Sequence, residues 1–404
     1  MNKDMLARVM RATELTRAGR LADATALIQD ALSTAAPGAR AAAAAPATPA
    51  TRGGDVIEGE CVEVSASTET PIAAGSAQPD EHTRPRAGLK NLLRKWRHDA
   101  AAGPARAAPR ADATDAGEFL AAAYTNAAGE RAYKVYVPSN YTPGLSLPLI
   151  VMLHGCTQAP DDFAAGTRMN RLAEEKHCFV LYPAQSASAN HSRCWNWFRR
   201  EDQTRDRGEP SIIAGMTREV VQRYGIDPGK VYVAGLSAGG AMAAVMAVTY
   251  PELYAAVGIH SGLACGSAHD LPSALAAMRG MPAAAGLGAG TTGRSHATPT
   301  IVFHGDHDRT VHPRNGADVI AQSTHHAGGR GGQVLKERGQ ASGGHSYTRT
   351  LHRDATGRVV LEQWLVHGGG HAWFGGSAAG SYTDPKGPDA SAEMVRFFLD
   401  AGLD

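Results

Sequence analysis

Short, largely apolar runs alternate with amphipathic segments over the part of the chain that follows residue 112. The apolar runs lie at residues 148–155, 178–183, 230–235, 255–262, 299–305 and 361–370. Helical patterns lie between several of them, at residues 211–224, 239–250 and 388–402. Runs that are apolar along their length are typical of parallel strands buried on both faces. The alternation therefore predicts an α/β fold, with a mostly parallel central sheet and helices on both faces.

Two further runs precede this alternation. Residues 118–125 and 131–138 flank Asn126-Ala127-Ala128-Gly129-Glu130 and predict an antiparallel hairpin. Open α/β sheets place their sites at the carboxyl ends of the parallel strands. The segments that directly follow the apolar runs are therefore the places where we expect the chemistry.

The first 112 residues differ from the rest of the chain in composition and in the pattern of apolar positions. Residues 1–32 carry apolar positions at helical spacing and predict an N-terminal helical segment. Residues 33–112 are rich in Ala, Pro, Thr, Ser and Gly, which predicts a low-complexity linker without a core of its own. Inside it, residues 88–100 have the pattern of a short basic amphipathic helix. This helix either touches a granule or membrane surface or rests, solvated, on the main domain.

Composition narrows the function classes. The 404 residues have a formal net charge of +1, which gives no bias toward nucleic acid. The five cysteines match no zinc spacing, and they do not by themselves fix the redox compartment. No apolar run reaches the roughly 20 residues that predict a transmembrane segment. The N-terminus has no apolar signal-peptide core, which favours a cytoplasmic location. The oligomeric state is not predicted.

The strongest chemical signal is Gly235-Leu236-Ser237-Ala238-Gly239, which lies between a predicted strand and a predicted helix. This G-x-S-x-G motif, in its strand–turn–helix context, is typical of a serine nucleophile held on a sharp turn. The glycines keep side chains away from the crowded turn. The N-terminus of the following helix favours negative charge that develops beside the serine. We therefore predict Ser237 as the nucleophile.

A nucleophilic serine needs a base, and the base needs a group that orients it. Asp308 follows the apolar run at 299–305, and His371 lies on a glycine-rich loop after the run at 361–370. We predict these two residues as orienter and base. Asp306 is the alternative carboxylate, and the competing histidines are His304, His312 and His367. The order Ser237, Asp308, His371 along the chain is the one expected of α/β-hydrolases.

Two backbone N–H groups are predicted to form an oxyanion hole. One is that of Ala238, the residue after the nucleophile. The other belongs to Cys156, because the loop after an early strand supplies this donor and Leu153-His154-Gly155-Cys156-Thr157-Gln158 has that place. The triad elsewhere makes a Cys156–His154 nucleophile pair unnecessary, so this loop is expected to act through its backbone.

Five segments, in order, resemble the poly(3-hydroxybutyrate) depolymerase family of esterases, which is similar to feruloyl and acetylxylan esterases. They are HGCTQ, CWNWF, the long stretch EPSIIAGMTREVVQRYGIDPGKVYVAGLSAGGAMAAVMAVTYPELYAAVGIHSG, HGDHDRTVHP and GGGHAWFGG. The resemblance covers residues 115–404 and implies an α/β-hydrolase esterase domain over 113–404. It implies hydrolysis of an ester, of polyhydroxybutyrate or its oligomers, without a metal or an organic cofactor. Relatives are often extracellular, which keeps that location open.

Other residues in these motifs supply further expectations. Trp195 and Trp373 are expected either to form an apolar wall for the substrate or to fill the core. A disulfide between Cys156 and Cys194 is a hypothesis, since both lie on motif loops on the expected active-site side. The charged segment 198–210 is expected to form a solvated rim. The segment 266–297 is either a lid or an irregular loop.

Three alternatives remain. A feruloyl or acetylxylan type of carbohydrate esterase has the same triad. A serine peptidase of this fold usually has a large gating domain, which 112 mostly low-complexity residues cannot form. A non-catalytic scaffold that binds a polymer granule is supported by the basic helix at residues 88–100 alone, and has no need of an intact triad.

Overall fold

The computed structural model describes residues 116–281, 298–326, 333–342 and 344–401. The predictions for residues 1–32, for the linker at 33–112 and for its helix at 88–100 lie outside these ranges. Among the helices that are described, none is long and apolar enough to cross a membrane.

A ten-stranded sheet forms the centre of the described structure, with the strand order β1-β2-β4-β3-β5-β6-β7-β10-β9-β8. The six strands from β4 to β10 in this order are parallel, and two antiparallel strands extend the sheet at each edge. The strands are β1 (Glu118–Asn126), β2 (Gly129–Val137), β3 (Leu149–Leu153), β4 (Phe179–Pro183), β5 (Val231–Leu236), β6 (Ala256–His260), β7 (Thr300–Gly305), β8 (Val334–Gln340), β9 (Ser346–Arg353) and β10 (Val359–Val366). A short parallel pair, β11 (Trp373–Phe374) and β12 (Thr383–Asp384), lies apart from this sheet.

Helices cover both faces of the sheet. They are α1 (Pro160–Thr167), α2 (Met169–Lys176), α3 (Gly208–Tyr224), α4 (Ala238–Thr249), α5 (Leu271–Met278), α6 (Arg314–His326) and α7 (Ala390–Ala401). Apolar side chains of α3, α4, α5 and α6 pack in one buried cluster, and those of α1, α2 and α7 pack in a second. Alternate residues of the central strands enter one cluster or the other, as expected for a sheet that is buried on both sides.

The predicted α/β-hydrolase architecture is confirmed. The hairpin and the six predicted strands correspond to β1–β7 and β10, and the three predicted helices to α3, α4 and α7. The antiparallel pair β8 and β9 was not predicted, because β8 (VLKERGQ) is exposed along nearly its whole length and so has no apolar run. In the segment 266–297, residues Leu271–Met278 form α5, while residues 282–297 lie outside the described ranges.

The parallel strands bring their carboxyl ends to one edge of the sheet. In the register, Leu236 of β5 lies beside His260 of β6, which lies beside Phe303 of β7. Gly305 at the end of β7 lies beside Val366 at the end of β10. The segments that follow β5, β7 and β10 therefore start from the same edge.

Candidate active site

Ser237 occupies a strained turn between β5 and α4. Its φ of 58° and ψ of −117° lie outside the regions that side chains ordinarily adopt. A side chain on Gly239 would overlap the carbonyl oxygen of Leu153, and one on Gly235 would overlap the backbone of Gly239. The Ser237 N–H donates to the carbonyl oxygen of His260 at 2.9 Å, which fixes the turn to β6. The two motif glycines are thus required by the close approach of β3 to the turn.

Asp308 is buried on the loop after β7, and hydrogen bonds satisfy both of its oxygens. Oδ1 accepts from the N–H groups of Thr310 and Val311, each at 2.8 Å. Oδ2 lies 2.7 Å from Nδ1 of His371 and 3.5 Å from Nε2 of His304. Burial alone would raise the pKa of Asp308, but the hydrogen bonds from His304 and His371 outweigh it and hold the pKa well below its usual range. The carboxylate is therefore ionised at neutral pH.

His371 lies on the loop after β10, and backbone contacts join this loop to the end of β7. Asp306 donates its N–H to Val366 at 3.0 Å, and His307 donates its N–H to Gly369 at 3.0 Å. A side chain on Gly305 would overlap the Gly369 carbonyl, so glycine is needed where the two loops meet. With Nδ1 directed at Asp308, Nε2 is the ring nitrogen left to take up a proton.

Each of the four competing residues has a partner outside the Asp308–His371 pair, and of the four only His304 also contacts Asp308. Asp306 accepts from Nδ1 of His367 at 2.8 Å and from the N–H of Gly368 at 2.7 Å. Nε2 of His367 lies 2.9 Å from the Thr348 hydroxyl, so both nitrogens of this ring have partners. Nε2 of the buried His304 lies 2.9 Å from the Val311 carbonyl oxygen. His312, the fourth competitor, accepts from the N–H of Arg314 at 3.2 Å. The structure thus pairs Asp308 with His371 and uses Asp306 to shape the turn.

The two predicted oxyanion donors lie after β3 and β5, which are neighbours in the sheet. Across the described ranges, the N–H groups of Cys156 and Ala238 have no hydrogen-bond acceptor. The flanking groups of the first loop are held: Gly155 donates to Oε1 of Gln158 at 2.9 Å, and Thr157 donates to the Ser192 carbonyl at 2.7 Å. Both predicted donors are therefore unused on an otherwise fixed backbone.

A disulfide joins Cys156 to Cys194, with an S–S distance of 2.03 Å. This is the pairing that the sequence hypothesis named. The bond connects the loop after β3, which we call the oxyanion loop (residues 154–158), to the loop that carries Trp195 and Trp197.

The expectation that Trp195 and Trp373 bind substrate is corrected by their burial. Their exposed fractions are 0% and 1%, so neither offers a face to a ligand. The indole N–H of Trp195 donates to the His154 carbonyl at 3.1 Å, and that of Trp373 donates to the Ser391 hydroxyl at 3.0 Å. Both indoles support the loops from within the core. The structure therefore agrees with the alternative expectation, that these tryptophans fill the core.

His154, the first residue of the oxyanion loop, holds this loop in place through hydrogen bonds of its ring. Its Nδ1 lies 2.7 Å from the Gly155 carbonyl oxygen, and its Nε2 accepts from the N–H of Gln185 at 3.1 Å. Complete burial lowers the pKa of His154 to about 4, so the ring is neutral at pH 7. A neutral ring that donates from Nδ1 and accepts at Nε2 satisfies both contacts.

Sequence reasoning missed a buried carboxylate that hydrogen-bonds to the loop carrying Trp195. Glu209 accepts from the N–H of Asn196 at 2.7 Å and from its side-chain amide at 2.6 Å. Gln185 and Arg131 also contact this carboxylate. The expectation of a solvated rim over residues 198–210 is therefore wrong at Glu209 and at the buried Asp202. The segment alternates charges without a period, so nothing in it marks which carboxylate turns inward.

No group of three or more His, Cys, Asp or Glu side chains within the described ranges could hold a metal ion.

Comparison with known proteins gives consistent results. A family model described as "Esterase PHB depolymerase" matches residues 131–342. The chain is 33% identical over 254 residues to poly(3-hydroxyalkanoate) depolymerase C of Paucimonas lemoignei, covering 61% of this chain and 59% of that protein. It is 32% identical over 212 residues to acetylxylan esterase A of Talaromyces purpureogenus, covering 49% of this chain and 53% of that protein. The chain thus spans little more than half the length of these relatives.

Among solved structures, the acetyl xylan esterase from Aspergillus awamori superimposes with a TM-score of 0.53 and 22% identity. The superposition covers 67% of this chain and 94% of that one, which supports the shared fold. Since the family model matches more than half of the residues, the chain belongs to the esterase PHB depolymerase family.

Proposed function

We propose that the protein is a serine esterase that hydrolyses carboxylic esters through Ser237, His371 and Asp308. The observation that carries the proposal is the 2.7 Å contact between Asp308 and His371 at the same sheet edge as the strained Ser237 turn. Strained backbone at a serine and a buried, ionised carboxylate beside a histidine are both features of nucleophilic acyl transfer.

In the first half-reaction, His371 Nε2 takes the proton of the Ser237 hydroxyl while Oγ attacks the ester carbonyl carbon. The carbonyl oxygen becomes an oxyanion, which accepts hydrogen bonds from the N–H groups of Cys156 and Ala238. The C–O bond to the alcohol then breaks, and His371 gives its proton to the departing oxygen. Each oxyanion donor contributes about 3 kcal/mol in enzymes of this type.

In the second half-reaction, water attacks the acyl-serine and His371 takes the water proton. The acid leaves when the Ser237–acyl bond breaks, and His371 returns the proton to Ser237. Asp308 stays ionised throughout, orients the imidazole and stabilises the imidazolium that forms twice per cycle. Its low pKa fits this role because a carboxylate that protonated near neutral pH would lose the attraction.

For the substrate, we propose short hydroxyalkanoate esters, with polyhydroxybutyrate oligomers as the natural class. The support is the family and the named activity of the depolymerase relative. An acetylxylan type of substrate is the second candidate, because the relatives include acetylxylan esterases at similar identity. A polymer or granule surface remains a proposed partner. The cytoplasmic location stays a prediction. The disulfide between Cys156 and Cys194 counts against it, because disulfides are rare in reducing compartments.

A panel of hydroxybutyrate oligomers, acetylated xylan, feruloyl esters and a short nitrophenyl ester tests the proposal. The wild type is expected to release acid from at least one of them, with hydroxybutyrate oligomers preferred. Ser237→Ala is expected to lower kcat by a factor on the order of 10⁶, as when the nucleophile of a triad is removed. Ser237→Ala that keeps full turnover with an unchanged circular dichroism spectrum would refute the mechanism.

A further inference from the structure

Tyr382, directly before β12, is the most exposed aromatic residue of the described ranges, with 36% of its surface accessible. Its backbone has a φ of 52°, a left-handed conformation in which a bulky side chain is strained. Strain of this kind persists only where the surrounding structure holds it, and it is concentrated at functional sites. The surroundings of Tyr382 therefore decide whether this residue has a function.

The hydroxyl of Tyr382 reaches the oxyanion loop. Its oxygen lies 3.3 Å from Oγ1 of Thr157, the residue that directly follows the proposed oxyanion donor Cys156. The Thr157 hydroxyl donates to the Cys156 carbonyl oxygen at 2.6 Å, so its proton is used and Tyr382 is the donor of the longer contact. Hydrogen bonds between two oxygens ordinarily measure roughly 2.5–3.0 Å. The Tyr382 hydroxyl is thus held loosely and can donate to a ligand instead.

The backbone of Tyr382 is fixed to the loop of the proposed catalytic base. Its carbonyl oxygen accepts from the N–H of Trp373 at 2.7 Å, two residues after His371. The preceding residue, Ser381, is held by the oxyanion loop, because its carbonyl oxygen accepts from the side-chain amide of Gln158 at 3.1 Å. Hydrogen bonds to both loops therefore hold the left-handed backbone in place.

The Tyr382 ring consequently lies between the two loops that the proposed reaction uses. The path from the Cys156 N–H through the Cys156 carbonyl and the Thr157 hydroxyl places the Tyr382 hydroxyl within about 10 Å of that N–H. The oxyanion loop also lies against the nucleophile turn, since a Cβ on Gly155 would be 3.5 Å from the carbonyl oxygen of Leu236, the residue before the nucleophile. A substrate of a few ester units that is bound at the oxyanion loop therefore reaches this ring.

An aromatic ring with an available hydroxyl suits a hydroxyalkanoate chain. Each hydroxybutyrate unit has a methyl group, which can pack against the ring, and a carbonyl oxygen, which can accept from the phenol O–H. The interior units of such a chain have no hydrogen-bond donor, so a donor on the protein matches them. A sugar chain has its own hydroxyl donors and also needs acceptors.

We propose that Tyr382 binds substrate, and that its ring and hydroxyl contact the hydroxyacyl unit next to the ester that is cleaved. The inference rests on the proposed esterase function and adds to it a residue that favours hydroxyalkanoate oligomers over single short esters. The left-handed backbone and the hydrogen bonds to both loops hold the side chain in position before the substrate arrives.

Initial rates with two neutral substrates test the proposal. The methyl ester of the hydroxybutyrate trimer has units that flank an internal ester, whereas nitrophenyl acetate has none. Tyr382→Phe removes only the hydroxyl, and Tyr382→Asn removes the ring but keeps a residue type that tolerates a positive φ. Leu145→Asn is the control, because Leu145 is 41% exposed and lies before β3, at the end of that strand opposite to the oxyanion loop.

The measured quantity is the kcat/KM for the trimer divided by that for nitrophenyl acetate. This ratio is expected to fall about tenfold in Tyr382→Asn, as for a lost apolar contact of an aromatic ring. Tyr382→Phe should lower it about threefold, as for the loss of one neutral hydrogen bond. The change should lie in the KM for the trimer, because the contact is made in the bound substrate and in the transition state alike. Leu145→Asn is expected to keep the wild-type ratio.

An unchanged ratio in Tyr382→Asn would overturn the inference, while turnover of nitrophenyl acetate would leave the esterase proposal standing. An equal fall of kcat on both substrates would also overturn it, because Tyr382 would then only brace the oxyanion loop. A selective loss on acetylated xylotriose, with the trimer unaffected, would contradict the choice of a hydroxyalkanoate chain.

Calorimetry tests the same contact without turnover. The uncleaved trimer is titrated into Ser237→Ala and into the double variant that also has Tyr382→Asn. Binding about tenfold weaker in the double variant supports the inference. Equal binding in the two proteins, or none in either, refutes it. If the wild type hydrolysed neither ester, the esterase proposal would fail by itself, and the titration would still decide whether Tyr382 binds the chain.

Discussion

His154 is a buried neutral imidazole at the start of the oxyanion loop, two residues before Cys156. Its contacts to Gly155 and Gln185 require one proton on Nδ1 and none on Nε2. A second proton would remove the acceptor that Gln185 uses and leave a charge in the core. The unfolded chain, in contrast, takes up this proton near pH 6.5.

We predict that this residue makes stability fall as the solution is acidified. Because the folded-state pKa of His154 is about 4, the unfolded state binds more protons between pH 6.5 and pH 4, and the free energy of unfolding decreases over that window. The loss approaches about 3 kcal/mol, at 1.36 kcal/mol per pKa unit. Urea unfolding at pH 7 and pH 4.5 should show a smaller loss in His154→Gln than in the wild type. The exposed His191→Gln should behave as the wild type, and equal losses in all three proteins would contradict the assignment.

At the scale of elements, the oxyanion loop is held by a disulfide, a buried histidine and Gln158, whose amide donates to Asp162 at 3.0 Å. The Cys156 side chain is held in the disulfide and takes no part in the proposed chemistry. The loop instead needs its backbone N–H fixed in direction, which is what pre-organised donors require.

Cys156→Ala is therefore expected to lower stability more than chemistry. Opening a loop of this length, with a sequence separation of 38, costs about 2–4 kcal/mol of unfolding free energy. The kcat on a neutral ester should fall far less than in Ser237→Ala, because the Cys156 N–H persists. Cys194→Ala is the matched control, since it breaks the same bond outside the oxyanion loop. Loss of activity in Cys156→Ala as complete as in Ser237→Ala, with the fold intact, would contradict this account.

The elements that the sequence predicts well are those with a strong local signature. The strand–turn–helix around Ser237 and the buried parallel strands depend on glycine sterics and apolar runs, both visible in the sequence. The exposed strand β8 lacks such a run. The inward turn of Glu209 and the burial of Trp195 depend on contacts with segments distant in sequence, such as Arg131 and His154. Long-range packing of this kind produces no periodic pattern in the amino-acid sequence.

At the scale of the whole described structure, one sheet edge collects the three proposed catalytic residues from segments up to 134 positions apart, Ser237 to His371. The central strands are buried on both faces and form the frame from which these loops extend. The fold follows from this frame, and the family from the match over residues 131–342.

The central claim is that Ser237 is a nucleophile activated by His371. Mass spectrometry after reaction with a fluorophosphonate tests it most directly, because this reagent phosphonylates activated serines. We predict one adduct per chain, on the peptide that contains Ser237, with ester turnover lost in proportion to labelling. His371→Ala should label far more slowly, and His367→Ala, the control, at the rate of the wild type. An unlabelled Ser237 in protein that hydrolyses esters, or an adduct on another serine that accounts for the lost activity, would contradict the claim.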